Sequence, residues 1–168
     1  MRIRTWGDPV LRQPAAEITE IDDALLKLVD DMLETMYAAP GVGLAAQQVG
    51  VLQQVFVYDA GEGPGVFLNP EITETSDEWT YEEGCLSVPG LYFPIVRPAV
   101  VHIRGLDLDG NTVEMEAHDL LGRIFLHETD HLNGQLVLDR LDPDQRKQAM
   151  RVLRERAMNG APRPTAGA

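Results

Sequence analysis

Between Ile18 and Ala39, apolar residues at Ile21, Leu25, Leu28, Val29, Met32, Leu33, Met36 and Tyr37 recur every three or four positions. That is the period of a helix with one buried face, and Pro40-Gly41 closes it. The pattern then changes to β-branched and aromatic runs at Val51 to Tyr58, Gly65 to Ile72, Val96 to Leu106 and Thr112 to Ala117, which predict strands. Asp109-Gly110-Asn111 reads as a hairpin turn between the last two and makes them antiparallel. A second helical stripe, Leu120, Ile124, His127 and His131, has Asp119 as its N-cap and Gly134 as its stop. Asp142-Pro143 pairs a cap with a first-position proline and starts a final helix to about Met158, ended by Asn159-Gly160. With no repeat and no linker, this order predicts a single α+β domain over residues 1–160. Its sheets are expected to be mostly antiparallel and packed around the histidine-bearing helix, with one helix at each end of the chain. Residues 161–168 are expected to form a disordered tail.

Composition narrows the class. A chain of 168 residues, 44% of them hydrophobic, suffices for one core and is short for two. The 24 residues from Thr35 to Tyr58 carry no charge, but Pro40, three glycines and four glutamines interrupt them, so no membrane span is expected. The first residues lack the apolar run of a secretory signal, and cytoplasmic residence is the default. Cys85 is the only cysteine, which excludes an internal disulfide and leaves one thiol for chemistry. The net charge of −13 argues against general or sequence-specific nucleic-acid binding. It is uneven, because residues 141–168 hold six basic and three acidic side chains, net +3.

The charged chemistry concentrates in His127-Glu128-Thr129-Asp130-His131. At 3.6 residues per turn, a spacing of four brings the second imidazole to within about 40° of the first, so both can meet one ion. Glu128 points to another sector and is better placed to take a proton from water than to ligate. Both histidines fall on the inward stripe, where an unliganded polar group is costly.

A catalytic site of this type takes a third protein ligand. Val137 occupies the position where the longer three-histidine motif would place its last ligand, which excludes that family. Glu155, the only glutamate after the motif, sits in a basic, surface-like helix. Cys85 is preferred, because a thiolate is a strong ligand for a borderline-soft ion and Gly84 beside it allows close approach. The segment Gly41-Val42-Gly43-Leu44-Ala45-Ala46-Gln47-Gln48 has a superficial dinucleotide-binding look, but a helix precedes it where that motif needs a strand. Small residues followed by two amides suit instead an active-site wall with a side-chain donor for a developing oxyanion.

Together, Gly41 to Gln48, Glu83 to Ser87 and His127 to His131 resemble the three motifs of the peptide deformylases, G-φ-G-φ-A-A-x-Q, E-G-C-φ-S and H-E-x-x-H, in the same order. One departure is Leu126, where many members carry glutamine. The resemblance implies removal of the N-terminal formyl group from formyl-methionyl nascent polypeptides, with release of formate. It implies Cys85, His127 and His131 as ligands of one divalent ion, Fe(II) in the family, with zinc, nickel or cobalt able to substitute, and the sequence does not choose among them. Glu128 would be the acid–base, and the Gln48 amide and the Leu86 backbone N–H would meet the oxyanion. Val42, Gly43 and Leu86 match family positions flanking the substrate, and with Ile124, one turn before His127, they predict an apolar methionine pocket. Glu83 and Arg97 are expected to pair and brace the cysteine loop. Arg146, Lys147, Arg151, Arg154 and Arg156 suggest a ribosome contact through the last helix, as in some relatives. Two alternatives stand beside this: Cys85 with His127 as a cysteine-hydrolase pair, or a non-catalytic module whose structural metal site is closed by His102 or His118.

Overall fold

The computed structural model describes residues 1–160. The expected tail at 161–168 lies outside the described residues. Helix α1, Asp23–Ala38, starts at Asp22, whose carboxylate accepts from the Leu25 N–H at 2.9 Å. Its face buries Leu25, Val29, Met32 and Met36 in one cluster with Leu44, Val55, Val57, Leu68 and Leu86.

Five strands form one antiparallel sheet in the order β1-β2-β3-β6-β7, from β1 Gly43–Ala45, β2 Val55–Tyr58, β3 Gly65–Ser76, β6 Val100–Leu106 and β7 Thr112–His118. The expected β6–β7 hairpin is present, and Asp107 Oδ1 accepts from the N–H groups of Asp109 and Asn111, each at 2.9 Å, to hold its turn. A separate hairpin pairs β4, Trp79–Cys85, with β5, Val88–Arg97.

Helix α2, Asp119–Leu132, packs Ile124, Phe125 and Leu132 against Phe56, Phe67, Val101, Ile103 and Ala117 of the five-stranded sheet. The rings of Phe56, Tyr58, Phe67 and Phe125 form its centre, with Tyr58 and Phe125 edge to face at 5.0 Å. On its other side α2 meets the β4–β5 hairpin, so the helix is enclosed and the fold is α+β with helices at both ends, as expected. Helix α3, Pro143–Met158, buries Ala149 and Leu153 against Val88, Phe93 and Ile95 of β5. None of the described helices is long and apolar enough to cross a membrane.

Several boundaries differ from the pattern. The run at Val96 to Leu106 is split: Val96 and Arg97 end β5, Pro98 offers no N–H, and β6 begins at Val100. β2 begins at Val55, because Gln53 is drawn into an isolated parallel bridge with Ala16. β3 runs past Ile72 to Ser76, held by pairing with β6. The β4–β5 hairpin went unpredicted because glutamates, prolines and Gly90 break its apolar alternation. Asp119 is the first residue of α2 and His118 the cap position, without a side-chain capping bond. Gly134 ends the helix as expected, at φ +75° with its N–H on the His131 carbonyl, and a Cβ there would sit 2.6 Å from the Arg12 carbonyl oxygen.

Candidate metal centre

Cys85 stands at the end of β4 beyond a register shift, and His127 and His131 stand one turn apart on α2. Donor atoms of the three lie within 4.8 Å of one another. His131 Nε2 is 3.4 Å from Cys85 Sγ and 3.2 Å from His127 Nε2. Among the described residues, no other cluster of three or more His, Cys, Asp or Glu side chains converges in this way. Glu155 is exposed on α3, and His102 and His118 face Glu116 at 3.7 and 3.5 Å on an exposed part of the sheet, so none of these three joins the group.

The residues fit a cation. His127 Nδ1 lies 2.8 Å from Glu83 Oε2, an acceptor, so this nitrogen carries the proton and Nε2 offers a lone pair toward His131 and Cys85. Lone pairs and a thiol converging at such distances need a positive charge between them. Burial opposes charge on His127, yet the Cys85 thiol and the Glu83 and Glu128 carboxylates outweigh it and raise its pKa well above the imidazole range. Burial and the neighbouring His127 push His131 well below that range. A divalent ion replaces the proton such a cluster collects.

Glu83 is the hub of a buried network. Arg97 donates Nε and Nη2 to the two Glu83 oxygens at 2.9 and 2.8 Å, the bidentate geometry of a guanidinium on a carboxylate. Arg97 Nη1 reaches Asp130 Oδ2 at 2.8 Å, and Arg140 donates to both oxygens of Asp130 at 3.0 and 2.7 Å. Burial works to raise the Glu83 carboxyl, but hydrogen bonds and charge from His127 and Arg97 outweigh it and hold the pKa well below the usual range.

Glu128 lies beside the donors, with Oε1 3.9 Å from His127 Nε2 and Oε2 buried without a partner among the described residues. Burial chiefly, helped by the Glu83 and Asp130 charges and opposed by His127, pushes its pKa up to about 7. Such a carboxyl can take and return a proton near neutrality. Gly43 makes room for it, since a Cβ there would meet Glu128 Oε1 at 3.0 Å. Gln48 is oriented by its surroundings: the Ala45 N–H donates to its Oε1 at 3.0 Å, which turns Nε2 toward Ser87 Oγ at 3.1 Å and Cys85 Sγ at 3.7 Å.

Val42, Gly43, Leu86 and Ile124 line one cleft with Gln48, Glu83, Cys85, His127 and Glu128. Its wall is not wholly apolar, since Tyr81 and Arg123 line it too. Sequence reasoning missed Arg123, Asp130, Arg140 and Ser87 as neighbours of the site. Asp130 and Ser87 stood inside quoted motifs, whereas Arg123 carried no signal that it was buried. Leu126, which stands where many deformylases carry glutamine, packs half-buried among the aromatic cluster on the sheet.

The polypeptide deformylase family model matches residues 1–147. A peptide deformylase of Acidothermus cellulolyticus is 47% identical over 172 aligned positions, covering 98% of this chain and 96% of that protein. One of Clostridium botulinum is 54% identical over 138, covering 82% and 94%. Among solved structures, a peptide deformylase from Legionella pneumophila superposes with a TM-score of 0.87 at 39% identity, covering 96% of this chain and 98% of that one. The enzyme from Synechococcus elongatus in complex with actinonin gives 0.87 at 40% identity, covering 91% and 87%.

Proposed function

The chain belongs to the polypeptide deformylase family and is an enzyme that removes the formyl group from formyl-methionyl nascent polypeptides, releasing formate; we propose that Cys85, His127 and His131 hold its divalent ion and that Glu128 moves the proton. The observation that carries this is the convergence of one thiol and two imidazole nitrogens beside a buried carboxylate whose Oε2 has no partner among the described residues. When bound there, the ion supplies Lewis acidity that polarises the formyl oxygen and lowers the pKa of water.

Glu128 takes the proton of the attacking water as its oxygen adds to the formyl carbon, then gives it to the leaving amine as the C–N bond breaks. The Gln48 side-chain N–H and the Leu86 backbone N–H donate to the oxygen on which charge collects. Val42, Gly43, Leu86 and Ile124 hold the methionine side chain in the cleft. The Glu83–Arg97 pair keeps His127 in the tautomer that ligates.

Fe(II) is our assignment for the ion, supported by family membership and by a mixed thiolate and imidazole donor set, which zinc, nickel or cobalt can also occupy. Chelation should abolish formate release and Fe(II) added without oxygen should restore it. Activity that survives chelation but not alkylation of Cys85 would point to the cysteine-hydrolase reading instead.

The domain extends over residues 1–160, and the working compartment is the cytoplasm, where a lone thiol stays reduced. Docking on the ribosome through α3 is supported by Lys147, Arg151 and Arg154, which are exposed at spacings of four and three. Arg146 and Arg156 are instead engaged within the chain, on the carbonyls of Leu138 and Pro89. Cosedimentation with ribosomes should weaken steeply with salt, and salt-independent binding or none would exclude this contact.

A further inference from the structure

The two adjacent glutamines that close the glycine-rich segment point to different partners. Gln48 faces Cys85 and Ser87, whereas Gln47, fully buried, reaches the C-terminal end of α2. Both hydrogens of its amide are spent on main-chain carbonyls: Nε2 donates to the His131 oxygen at 2.6 Å and to the Gln13 oxygen at 3.3 Å. Its Oε1 is buried with no partner among the described residues, a cost that those two bonds must outweigh.

The two histidines of the metal centre are held by unlike means. The His127 ring is fixed directly, with Nδ1 2.8 Å from Glu83 Oε2. The His131 ring has no such brace, since its Nδ1 is buried without a partner among the described residues. What fixes His131 is its main chain, in the last turn of α2, where helix carbonyls lack donors from within the helix. The N–H of Gly134, just past the helix, donates to the His131 oxygen at 3.0 Å. Gln47 supplies the bond to that oxygen from another part of the fold, and it is the shorter of the two. A buried amide bonded on both hydrogens has one place to stand. It therefore sets where the His131 backbone stands and, through it, where Nε2 is presented.

We propose that Gln47 is a positioning residue for His131: it fixes this histidine through its main chain as Glu83 fixes His127 through its ring, and without it the ion escapes from the His131 side while Cys85 and His127 still hold. A partner of this kind behind a ligand is worth about 10–100-fold in metal affinity. The inference rests on the reading of Cys85, His127 and His131 as the ligands of the divalent ion.

The test uses protein loaded with Co(II), whose d–d bands report the arrangement of its ligands and whose thiolate charge-transfer band reports Cys85. Gln47→Met keeps the length of the side chain and removes the amide. Gln54→Met is the comparison, because Gln54 Nε2 donates to the Ala15 carbonyl at 3.3 Å and so ties down the same segment before α1 without touching a ligand. Gln47→Met is expected to release cobalt to excess chelator at least about tenfold faster than wild type. Its d–d bands should shift and its charge-transfer band remain. Gln54→Met, whatever it loses in melting temperature, should keep the wild-type bands and release rate. Should Gln47→Met not fold, Gln47→Asn keeps the donor one methylene short and should give a smaller acceleration with the same spectral change.

Bands and release rate unchanged in a folded Gln47 variant overturn the inference. An equal acceleration in Gln54→Met overturns it too, because the effect would then be a general loosening of the fold. A wild type that takes up cobalt without the charge-transfer band contradicts the ligand reading at Cys85, and the release rates then decide on Gln47 by themselves. A wild type that takes up no cobalt contradicts the ligand set, and the inference falls with it.

Discussion

Glu128 owes its usefulness to its setting. Burial raises the pKa of its carboxyl, His127 Nε2 stands 3.9 Å from its Oε1, and Gly43 leaves the space its side chain fills, with Oε1, Cδ and Cγ all within 3.1 Å of where a Cβ would stand. Gly43→Ala should therefore lower the rate of formate release by about tenfold while leaving metal content unchanged, because a small displacement of a proton-transfer group is costly. A full-rate Gly43→Ala protein would show that Glu128 need not stand there. The convergence of Cys85, His127 and His131 was legible in the sequence because metal-binding chemistry restricts residue type and a helix restricts spacing. Arg123 was not, since an arginine in a helix reads as surface, and what buries it are Glu83, Ile95 and Trp79, the nearest of them 28 positions away in the chain.

The elements divide the work. The β4–β5 hairpin brings Cys85 and Glu83, α2 brings the histidines and Glu128, and the turn after β1 brings Gln48, so the site forms where three elements meet. The helices were readable from periodicity and caps, and Asp142 and Gln145 do cap α3 reciprocally at 2.7 and 3.0 Å. The hairpin was unreadable because glutamates, prolines and Gly90 interrupt its apolar alternation, and the Glu83–Arg97 pair across it leaves no apolar signature. Arg97 is the joint, spanning Glu83 of β4 and Asp130 of α2. Arg97→Leu leaves two buried carboxylates short of a partner and should destabilise the fold by about 3 kcal/mol. It should also weaken metal retention by about 10-fold or more, because the His127 brace loosens. Thermal melts of the ion-loaded protein and metal analysis after dialysis would read both, and a variant as stable and as well metallated as wild type would leave the network without a supporting role.

Across the whole molecule, one sheet and one hairpin close around α2, and the aromatic cluster fixes that helix from behind while the ion-pair network fixes it in front. The family and the α+β class were legible at this scale because three separated motifs occur in order along most of the chain. The sheet order and the polar lining of the cleft were not, since both depend on pairings far apart in sequence. In the proposed mechanism the metal ligands and the proton carrier are distinct residues, and the mechanism turns on that separation. The decisive measurement is metal content and formate release, side by side, for wild type and Glu128→Ala prepared without oxygen and loaded with Fe(II). About one ion per chain is expected in both, with turnover of a formyl-methionyl peptide lost by at least about a hundredfold in the variant. A variant that loses its ion, or one that keeps its rate, would contradict the separation of ligand from base.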